Sequence, residues 1–441
     1  MPFSSLPLPD VPDADLAAFA LRHAVRLAER PALIDGDRTV TYAELAARPP
    51  AGEGVVPICR PNGAEFVIEL LGALRAGATV LPVSPLFTER ERAEQAQLAA
   101  ALEERGDVAL LLSSSGTTGL PKLVALSHRA AVTSISQFAV VFPYREGERV
   151  LGLAPFFHIM GLSCVLLHAL SSGATVVTMP RFDLEEMLAT IERHGITQML
   201  VPPPVLGALA RHPIVDRFDL SSLRVIGVGG AAASAELERA VEERLGCFVG
   251  QGYGMTEAGP MIASPQVDPP DVRHGSVGRL VPGTEAQIVD GEVWVRGPQL
   301  MSGYVDNPLA TAATLDDEGW LHTGDTGRFD DDGFLWLGDR IKELIKVKGF
   351  QVAPAELEAL LREHPAVADV AVVGVPDGEA GERPVAFVVA RGDLDHDALR
   401  AHLDAQVAPY KQLREIVEVE ALPRSPTGKL LRRMLVAEAV A

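Results

Sequence analysis

The chain has 441 residues, of which 47% are hydrophobic and 22% charged, and its formal net charge is −20 at pH 7. This length allows two or three domains with separate cores, and the acidic balance argues against a nucleic-acid surface or docking on anionic membranes. Three scattered cysteines suggest neither a disulfide framework nor a zinc site. We find no signal-peptide pattern and no apolar window of about 18 residues, so we expect a cytoplasmic protein without a membrane span.

The first half of the chain predicts a layered α/β domain. From residue 108 to residue 249, apolar strand-like runs alternate with helical patterns. Such alternation predicts a mostly parallel sheet with helices on both faces, and ligands then bind beyond the carboxyl ends of the strands. The expected strands are 108–112, 150–153, 175–179, 198–201, 223–228 and 247–249, and the expected helices are 129–141, 161–170, 184–194, 205–211 and 235–245.

A loop rich in Ser, Gly and Thr, SSSGTTGLPK at 113–122, follows the first of these strands. Its glycines allow a sharp turn, and its hydroxyls, backbone N–H groups and Lys122 suit phosphate oxygens. The same composition also suits a flexible linker, although a linker is unusual directly after a buried strand. The loop is not a P-loop, because Pro121 and Leu123 stand where that motif needs Gly and Ser or Thr. It therefore predicts phosphate binding in another nucleotide-using fold.

The second half of the chain changes character twice. Short β runs with Gly and Pro turns at 278–304 predict a small β subdomain. Beyond Trp336, helical patterns at 354–363 and 396–406 alternate with strand patterns, which predicts a separate small α+β domain. The last segment, PRSPTGKLLRR at 423–433, is basic and rich in turn residues.

Five motifs in a fixed order resemble those of the adenylate-forming superfamily, which contains acyl-CoA synthetases, peptide-synthetase adenylation domains and luciferases. The 4-coumarate–CoA ligase-like branch is the most similar, and the resemblance runs from about residue 32 to residue 433. The motifs are SSSGTTGLPK at 113–122, PFFHIMGL at 155–162, GQGYGMTEAGP at 250–260, WLHTGD at 320–325 with GDRIKELIKVKGFQVAPAELE at 338–358, and PRSPTGKLLRR at 423–433.

The resemblance implies an α/β fold with two domains. A large N-terminal domain of layered, mostly parallel sheets with helices and a small β subdomain would occupy residues 1–339. A hinge at 340–342, with Lys342 at the usual hinge position, would lead to a small mobile α+β domain at 343–441. That domain would rotate between two half-reactions, so that one active site serves two chemistries.

The resemblance also implies an AMP-forming acid–thiol ligase. A carboxylate is a poor electrophile because its leaving group would be oxide. Attack of an aryl or medium-chain carboxylate on the α-phosphate of ATP makes an acyl-adenylate and pyrophosphate, and the thiol of CoA then displaces AMP. The first step brings two anions together, so Mg²⁺ and cations near the phosphates are implied.

The family's functional positions map onto individual residues of this sequence. Lys429 would bridge the substrate carboxylate and the α-phosphate, Glu257 would bind Mg²⁺, and Asp325 would bind the ribose. The implied catalytic residues are Lys429, Thr256, Glu257, His158 and Lys122. The implied nucleotide-binding residues are Ser113, Ser114, Ser115, Gly116, Thr117, Thr118, Gly119, Lys122, Gly252, Tyr253, Gly254, Met255, Thr256, Asp325, Arg340, Lys346 and Gln351. The implied acyl pocket contains His158, Met160, Gly161, Gly229, Gly230, Ala231, Gly252, Gly254 and Met261.

Structural readings of these residues stay open at this point. Lys429 could be a solvated tail lysine, Asp325 a turn residue and His158 a packed core histidine. Two residues depart from the resemblance: Leu123 stands where the family commonly has Gly, and Met160 where hydroxycinnamate ligases often have Tyr. The regions at 48–54 and 87–108 are also shorter than in full-length relatives.

Other acceptors are compatible with the same adenylation chemistry. They are a carrier-protein thiol, an amine, or an arylamine if nitrite is the adenylated species. A luciferase-like oxygenase needs an additional reaction, and a non-enzymatic binding module does not explain why the functional positions are retained. The sequence does not determine the acid or the oligomeric state.

Overall fold

The computed structural model describes residues 3–4, 6–100, 102, 106–114, 122–340, 343–347, 350–377, 381–425 and 429–440. The chain forms two compact units, and the mixed α/β class is confirmed. The predicted hinge stays a prediction, because residues 341–342 lie outside the described ranges. The first unit comprises Met1–Gln287, Trp294–His322 and Phe329–Leu335, and the second comprises Ile288–Val293, Thr323–Arg328 and Trp336–Ala441.

A seven-stranded sheet forms the larger layer of the first unit. All its neighbouring strands pair in parallel except the last two, which form an antiparallel hairpin. Three of its inner strands, Thr175–Thr178, Gln198–Val201 and Val225–Val228, are buried along their whole length, as expected for a sheet covered on both faces. In sheet order, the strands are Phe248–Gln251, Val225–Val228, Gln198–Val201, Arg149–Gly152, Thr175–Thr178, Pro31–Asp35 and Arg38–Thr41.

Local capping sets the ends of the helices that cover this sheet. Helix Leu184–His194 begins after Asp183, whose side chain accepts from the N–H of Glu186, and it ends at Gly195 in the left-handed region. Helix Ala235–Leu245 has the same arrangement, with a serine before it and a glycine after it. Sequence analysis predicts both helices to the residue because these signals are local.

The strand after which the Ser/Gly/Thr loop begins belongs to a second sheet, so the strands between residues 108 and 249 divide between two sheets. Val108–Ser114 pairs antiparallel with Lys122–Ser127, a strand that sequence analysis missed. The missed strand is short, and its four central residues are buried. Residues 115–121 therefore connect two strands of a hairpin rather than a strand and a helix. The sheet order is Gly303–Tyr304, Lys122–Ser127, Val108–Ser114, Thr79–Pro82 and Val55–Ile58.

Shorter elements complete the first unit. Residues 161–170, expected to be helical, form a π-helical segment at Met160–Leu167 that continues into helix His168–Ser172. A small antiparallel sheet contains Tyr253–Gly254, Met261–Ser264 and Arg279–Leu280. The other helices are Leu16–Ala20, Tyr42–Ala47, Ala64–Arg75, Glu89–Ala100, His128–Val141, Pro203–Arg211 and Pro308–Ala312, with 3-10 segments at Pro213–Arg217 and Thr256–Ala258.

Further β structure lies where the small β subdomain is expected, and it extends beyond residue 304. Each of its four longer strands has residues in both units, so the chain passes between the units within strands. These strands are Glu285–Val289, Glu292–Arg296, Leu321–Phe329 and Leu335–Arg340.

The second unit is a small α+β domain with a core on each face of its sheet. Alternate residues of strand Val367–Pro376 face opposite sides, so Val370 and Val372 join one apolar cluster while Ala371 and Val373 join the other. The sheet contains Val367–Pro376, Glu382–Ala390 and Glu415–Glu418, and a separate hairpin contains Ile345–Val347 and Phe350–Val352. The helices are Pro354–Arg362, His396–Asp404 and Arg432–Val440, with a 3-10 turn at Pro409–Lys411.

The structure also describes the state of the cysteines and the length and apolar character of the helices. Cys59 is exposed, Cys164 and Cys247 are buried, and all three are free thiols. Among the helices in the described parts of the chain, none has both the length and the apolar character that crossing a membrane requires.

Candidate active site

A tight turn at Thr256–Ala258 buries a carboxylate in the first unit. The turn lies between two short paired strands, and the N–H of Met255 donates to the carbonyl of Pro260 at 2.9 Å. Any side chain at Gly254 would collide with that same carbonyl, so the turn requires glycine there. Thr256 is 8% exposed and Glu257 is 6% exposed. An ionised carboxylate this deeply buried needs a hydrogen-bond donor or a cation.

Tyr304 provides that donor. Its hydroxyl donates to Oε1 of Glu257 at 2.8 Å, and the main-chain oxygen of Glu257 accepts from the N–H of Met301 at 2.9 Å. Burial, followed by the neighbouring Glu257 charge, raises the pKa of Tyr304, so the phenol stays protonated and keeps its hydrogen. Tyr304 thus orients the carboxylate of Glu257, while Met301 holds the main chain of the same residue.

Lys122 contacts the same tyrosine. Its Nζ lies 4.5 Å from the centroid of the Tyr304 ring, a distance at which the ring face attracts a cation. The two predicted site residues Lys122 and Glu257, far apart in the sequence, are therefore linked through one side chain. Tyr304 was missed by sequence analysis, and the only signal for it was its place at the end of the predicted β subdomain.

The described part of the predicted phosphate-binding loop consists of its two ends. The hydroxyl of Ser113 accepts from Nε2 of Gln95 at 2.5 Å, and Ser114, which is buried, is paired with Lys122 across the hairpin. The predicted positions Ser115, Gly116, Thr117, Thr118 and Gly119 lie outside the described residues.

Leu123, which departs from the family pattern, has a packing role. It is 1% exposed and belongs to an apolar cluster with Leu81, Leu111 and Val305. Neighbouring residues of a strand face opposite sides, so Leu123 faces this core while the adjacent Lys122 faces the other way. The bulky residue after the loop is therefore part of the sheet's packing.

Two pairs of predicted acyl-pocket residues lie side by side. The sulfur of Met160 lies 3.0 Å from the point that a Cβ on Gly229 would occupy, and Cε of Met261 has the same relation to Gly252. Larger residues at either glycine would displace a methionine. Nδ1 of His158 accepts from the N–H of Met160 at 3.4 Å, which orients the ring relative to the methionine.

The other predicted pocket residues have different surroundings. Gly230 and Ala231 are exposed residues of the loop that follows strand Val225–Val228. A side chain at Gly161 would collide with the carbonyls of Pro155 and Ala154, so this glycine allows the π-helical segment to pack closely on the preceding loop.

Gln251 fixes the end of the loop that follows strand Val225–Val228, and it was not among the site residues predicted from the sequence. Its Oε1 accepts from the N–H of Ala233, and its Nε2 donates to the carbonyl of Ala233, both at 3.0 Å. The side chain is 3% exposed. Its position next to Gly252 in the GQGYG motif was the only signal.

Asp325 is a buried carboxylate of the second unit, with an exposed fraction of 7%. Its N–H donates to Oγ1 of Thr323 at 3.1 Å, and the N–H of Gly324 donates to Oε1 of Glu292 at 2.7 Å. These bonds hold the bend of strand Leu321–Phe329 at the aspartate. Arg340 is the last residue of strand Leu335–Arg340, and its side chain is outside the described part of the structure.

Lys346 and Gln351 are cross-strand partners in the hairpin of the second unit. The N–H of Lys346 donates to Oε2 of Glu382 at 2.7 Å, and the lysine is exposed. The backbone positions confirm that these two residues are neighbours, whereas their contact with an acyl-adenylate stays a prediction. The side chain of Gln351 is not among the described groups.

Lys429 closes a loop with Ser425. The N–H of Lys429 donates to Oγ of Ser425 at 3.1 Å, and the N–H of Ser425 donates to the carbonyl of Lys429 at 2.7 Å. Arg432 anchors the next turn of chain, since its Nε donates to Glu343 at 2.9 Å and its Nη1 donates to Glu358 at 2.5 Å. The lysine is therefore carried by a braced segment.

The acidic residues fit Mg²⁺ bound together with a nucleotide. Within the described ranges, no group of three or more His, Cys, Asp or Glu side chains could hold a metal ion by itself. Mg²⁺ commonly takes one or two carboxylates and completes its shell with water and substrate phosphates. A single buried carboxylate, that of Glu257, suits this mode of binding.

Comparisons with known proteins agree with this arrangement. The family model for the AMP-binding enzyme matches residues 94–305, and that for the AMP-binding enzyme C-terminal domain matches residues 356–429. 4-Coumarate–CoA ligase 5 of Oryza sativa subsp. japonica is 38% identical over an alignment 521 positions long, which covers 98% of this chain and 97% of the relative. Since this chain has 441 residues, the relative contains segments that it lacks.

Solved structures are similar over nearly the whole chain. The anthranilate CoA ligase AuaEII in complex with anthranoyl-AMP has a TM-score of 0.84 and 26% identity, covering 98% of each chain. The amide bond synthetase McbA from Marinactinospora thermotolerans has a TM-score of 0.82 and 29% identity, covering 96% of this chain and 99% of its own.

Proposed function

This chain belongs to the family of AMP-binding enzymes, and on that basis we propose that it activates a carboxylic acid with ATP and then transfers the acyl group to CoA. The first step forms an acyl-adenylate and pyrophosphate, and the second releases AMP. The observation that carries the proposal is the buried Glu257 carboxylate linked through Tyr304 to Lys122. This arrangement supports the proposal, because it brings a carboxylate that suits Mg²⁺ and a cation that suits phosphate oxygens into contact with the same side chain.

The first half-reaction joins two anions, so the chain must supply positive charge where they meet. Lys429 supplies it by donating to the substrate carboxylate and to the α-phosphate, which keeps the attacking oxygen in line with the leaving pyrophosphate. Lys122 and the hydroxyls of the 113–119 loop hold the β- and γ-phosphates, and Thr256 donates to a phosphate oxygen. Mg²⁺ held by Glu257 neutralises phosphate charge when it is bound.

The ribose and the adenine are recognised by polar and aromatic groups. The carboxylate of Asp325 accepts hydrogen bonds from both ribose hydroxyls, and Arg340 contacts the ribose or a phosphate. Tyr253 stacks near the adenine. Asp325 is buried and braced by its neighbours, which favours a fixed acceptor over a solvated turn residue.

The second half-reaction uses a rotation of the C-terminal domain about residues 340–342. The rotation removes Lys429 from the α-phosphate and brings in the hairpin that carries Lys346 and Gln351. The CoA thiol then attacks the acyl carbon, its proton leaves to solvent, and AMP departs with the electrons of the acyl–phosphate bond.

We propose an aromatic acid as the substrate. Met160 and Met261 pack directly against Gly229 and Gly252, and the flexible thioethers of methionines also pack well against aromatic rings. Two similar proteins are named for the aromatic acids 4-coumarate and anthranilate. Met160 at the position where hydroxycinnamate ligases often have Tyr argues against 4-coumarate itself.

An amine acceptor is the second candidate. The amide bond synthetase McbA is 29% identical and covers 96% of this chain, so the same fold accommodates acyl transfer to nitrogen. A carrier-protein thiol as the acceptor, or nitrite as the adenylated species, would use the same first half-reaction. We place the reaction in the cytoplasm, which the three free thiols support.

Pyrophosphate exchange with a panel of aryl and medium-chain acids tests the proposal. We expect ATP–pyrophosphate exchange with at least one aromatic acid, and AMP release that rises on addition of CoA. AMP release that responds to amines and not to CoA would favour the second candidate. A chain that supports no exchange with any acid of the panel would overturn the proposed function.

A further inference from the structure

We propose that Tyr304 is a positioning residue that orients both the Glu257 carboxylate and the Lys122 ammonium toward a bound ATP–Mg²⁺ complex. The inference rests on the proposed function, because it specifies how that site holds its nucleotide and metal. Its basis is the contact of one buried side chain with two predicted site residues.

The hydroxyl of Tyr304 occupies one oxygen of the Glu257 carboxylate. It donates to Oε1 at 2.8 Å, so in the proposed site Oε2 would be the oxygen left for Mg²⁺. A hydrogen bond to an ionised acceptor is stronger than a neutral one and fixes the rotation of the carboxylate. Groups that orient a metal ligand in this way affect metal binding although they do not touch the metal.

The ring of Tyr304 restrains the lysine. The Nζ of Lys122 lies 4.5 Å from the ring centroid, and the lysine stem is otherwise a flexible chain of four carbons. Attraction to the ring face limits the positions of the ammonium, so less freedom is lost when a phosphate binds.

The main chain around Tyr304 holds its side chain where it makes both contacts. The segment 301–305 is bonded to Glu257 and to Leu123, the residue next to Lys122. The N–H of Met301 donates to the carbonyl of Glu257 and the N–H of Val305 donates to that of Leu123, both at 2.9 Å. Strand Gly303–Tyr304 pairs antiparallel with the strand that begins at Lys122. Tyr304 is 9% exposed, so its position is set by packing as well.

Two substitutions separate the two contacts. Tyr304→Phe keeps the ring beneath Lys122 and removes the hydroxyl, which donates to Glu257 and is also hydrogen-bonded to Thr314. Tyr304→Leu removes both. The readout is calorimetric binding of the non-hydrolysable α,β-methylene analogue of ATP to the full chain at a series of Mg²⁺ concentrations, which requires neither an acid nor turnover.

For Tyr304→Phe we expect the half-saturating Mg²⁺ concentration to rise about tenfold or more, because the metal ligand loses its orientation. Binding of the analogue without Mg²⁺ should change less than about twofold, since Lys122 keeps its ring. For Tyr304→Leu we expect the same rise in the Mg²⁺ requirement. In addition, the affinity for the analogue without Mg²⁺ should fall about threefold or more.

Tyr42→Phe is the matched control. Tyr42 is also buried, and its hydroxyl donates to the carbonyls of Leu170 and Ala174. Its loss should lower the melting temperature but leave the Mg²⁺ requirement within about twofold of the wild type. A purely structural role for Tyr304 predicts that Tyr304→Phe behaves like this control.

A folded Tyr304→Phe protein with the wild-type Mg²⁺ requirement would overturn the inference, as would an equal shift in Tyr42→Phe. A wild-type chain that binds no analogue would overturn the inference together with the proposed function. A chain that binds the Mg²⁺–analogue and yet exchanges no pyrophosphate fails only the proposed function, so the two failures are distinguishable.

Discussion

Lys429 and Ser425 close a loop through two hydrogen bonds, and Arg432 anchors the chain that follows them. A lysine in a solvated tail needs no such bracing. The backbone of Lys429 is therefore held in place, and the roles proposed for its side chain can be tested one half-reaction at a time.

Lys429→Ala should lower acid-dependent pyrophosphate exchange about 10²- to 10³-fold, because one preorganised donor to the developing charge is removed. Thioester formation from supplied acyl-adenylate should change much less, since Lys429 acts before that step. Arg433→Ala, at an exposed basic residue four positions later, is the control and should retain exchange. Unchanged exchange in Lys429→Ala would contradict the assigned role.

His168 predicts a pH dependence of stability. It is fully buried and stacked on Tyr144 with ring centroids 4.3 Å apart, and burial lowers the pKa of its imidazole to about 3. The folded protein therefore keeps His168 neutral, while the unfolded chain takes up a proton below its ordinary value of about 6.5. Because the unfolded state binds more protons in this window, stability falls as the pH drops from about 6.5 toward 3.

Lowering the pH from 7.5 to 5.5 should reduce the unfolding free energy of the wild type by about 1.4 kcal/mol through His168. The His168→Phe variant should not show this loss. Urea unfolding of both proteins at the two pH values measures the difference. The comparison isolates His168 from the carboxylates, which are the same in both proteins. An equal pH dependence in the two proteins would show that His168 is protonated in the folded state.

The hairpin that contains the phosphate-binding loop is the element that sequence analysis described least well. The expected strand ends at residue 112, and the second strand was missed, because its short apolar run lies beside a loop with strong turn signals. Once the hairpin is known, the departure at Leu123 is explained by the cluster it joins.

Leu123→Ala should lower the unfolding free energy by about 2–4 kcal/mol, because it leaves a cavity beside Leu81 and Val305. Denaturant unfolding measures the change, and Leu309→Ala is the matched control. Leu309 is 85% exposed, so its substitution should stay within about 0.5 kcal/mol of the wild type. A Leu123→Ala protein as stable as the control would contradict the packing role.

At the scale of the whole molecule, the chain divides into two units, and the predicted site residues are divided with it. Glu257, Lys122 and the acyl-pocket residues belong to the first unit, while Asp325, Lys346 and Lys429 belong to the second. The proposed alternation about residues 340–342 moves only the part of the second unit that follows the hinge, which carries Lys346 and Lys429 but not Asp325.

Lys342→Pro should separate the two half-reactions. Proline fixes φ near −65°, so a residue that must change its backbone angles during the rotation loses that freedom. We expect pyrophosphate exchange to stay within about threefold of the wild type and thioester formation to fall about tenfold or more. Lys342→Ala removes the same side chain and keeps the backbone freedom, so it should retain both activities. Equal losses in the two variants would contradict a hinge at this residue.

Much of the fold could be predicted because its signals are local. Helices Leu184–His194 and Ala235–Leu245 and strand Gln198–Val201 have the predicted bounds, since apolar periodicity and capping residues act within a few positions. The motifs that place Glu257, Asp325 and Lys429 are likewise short runs of the sequence.

The α/β class and the family motifs follow from the sequence alone. Contacts that depend on pairing between distant segments follow only from the tertiary structure. Which strands pair in which sheet, the face of its strand on which Leu123 lies, and the contact of Tyr304 with both Glu257 and Lys122 follow only from the folded chain. The physical reason is that strand pairing brings together residues with no local relation, so their contacts leave no pattern in either segment alone.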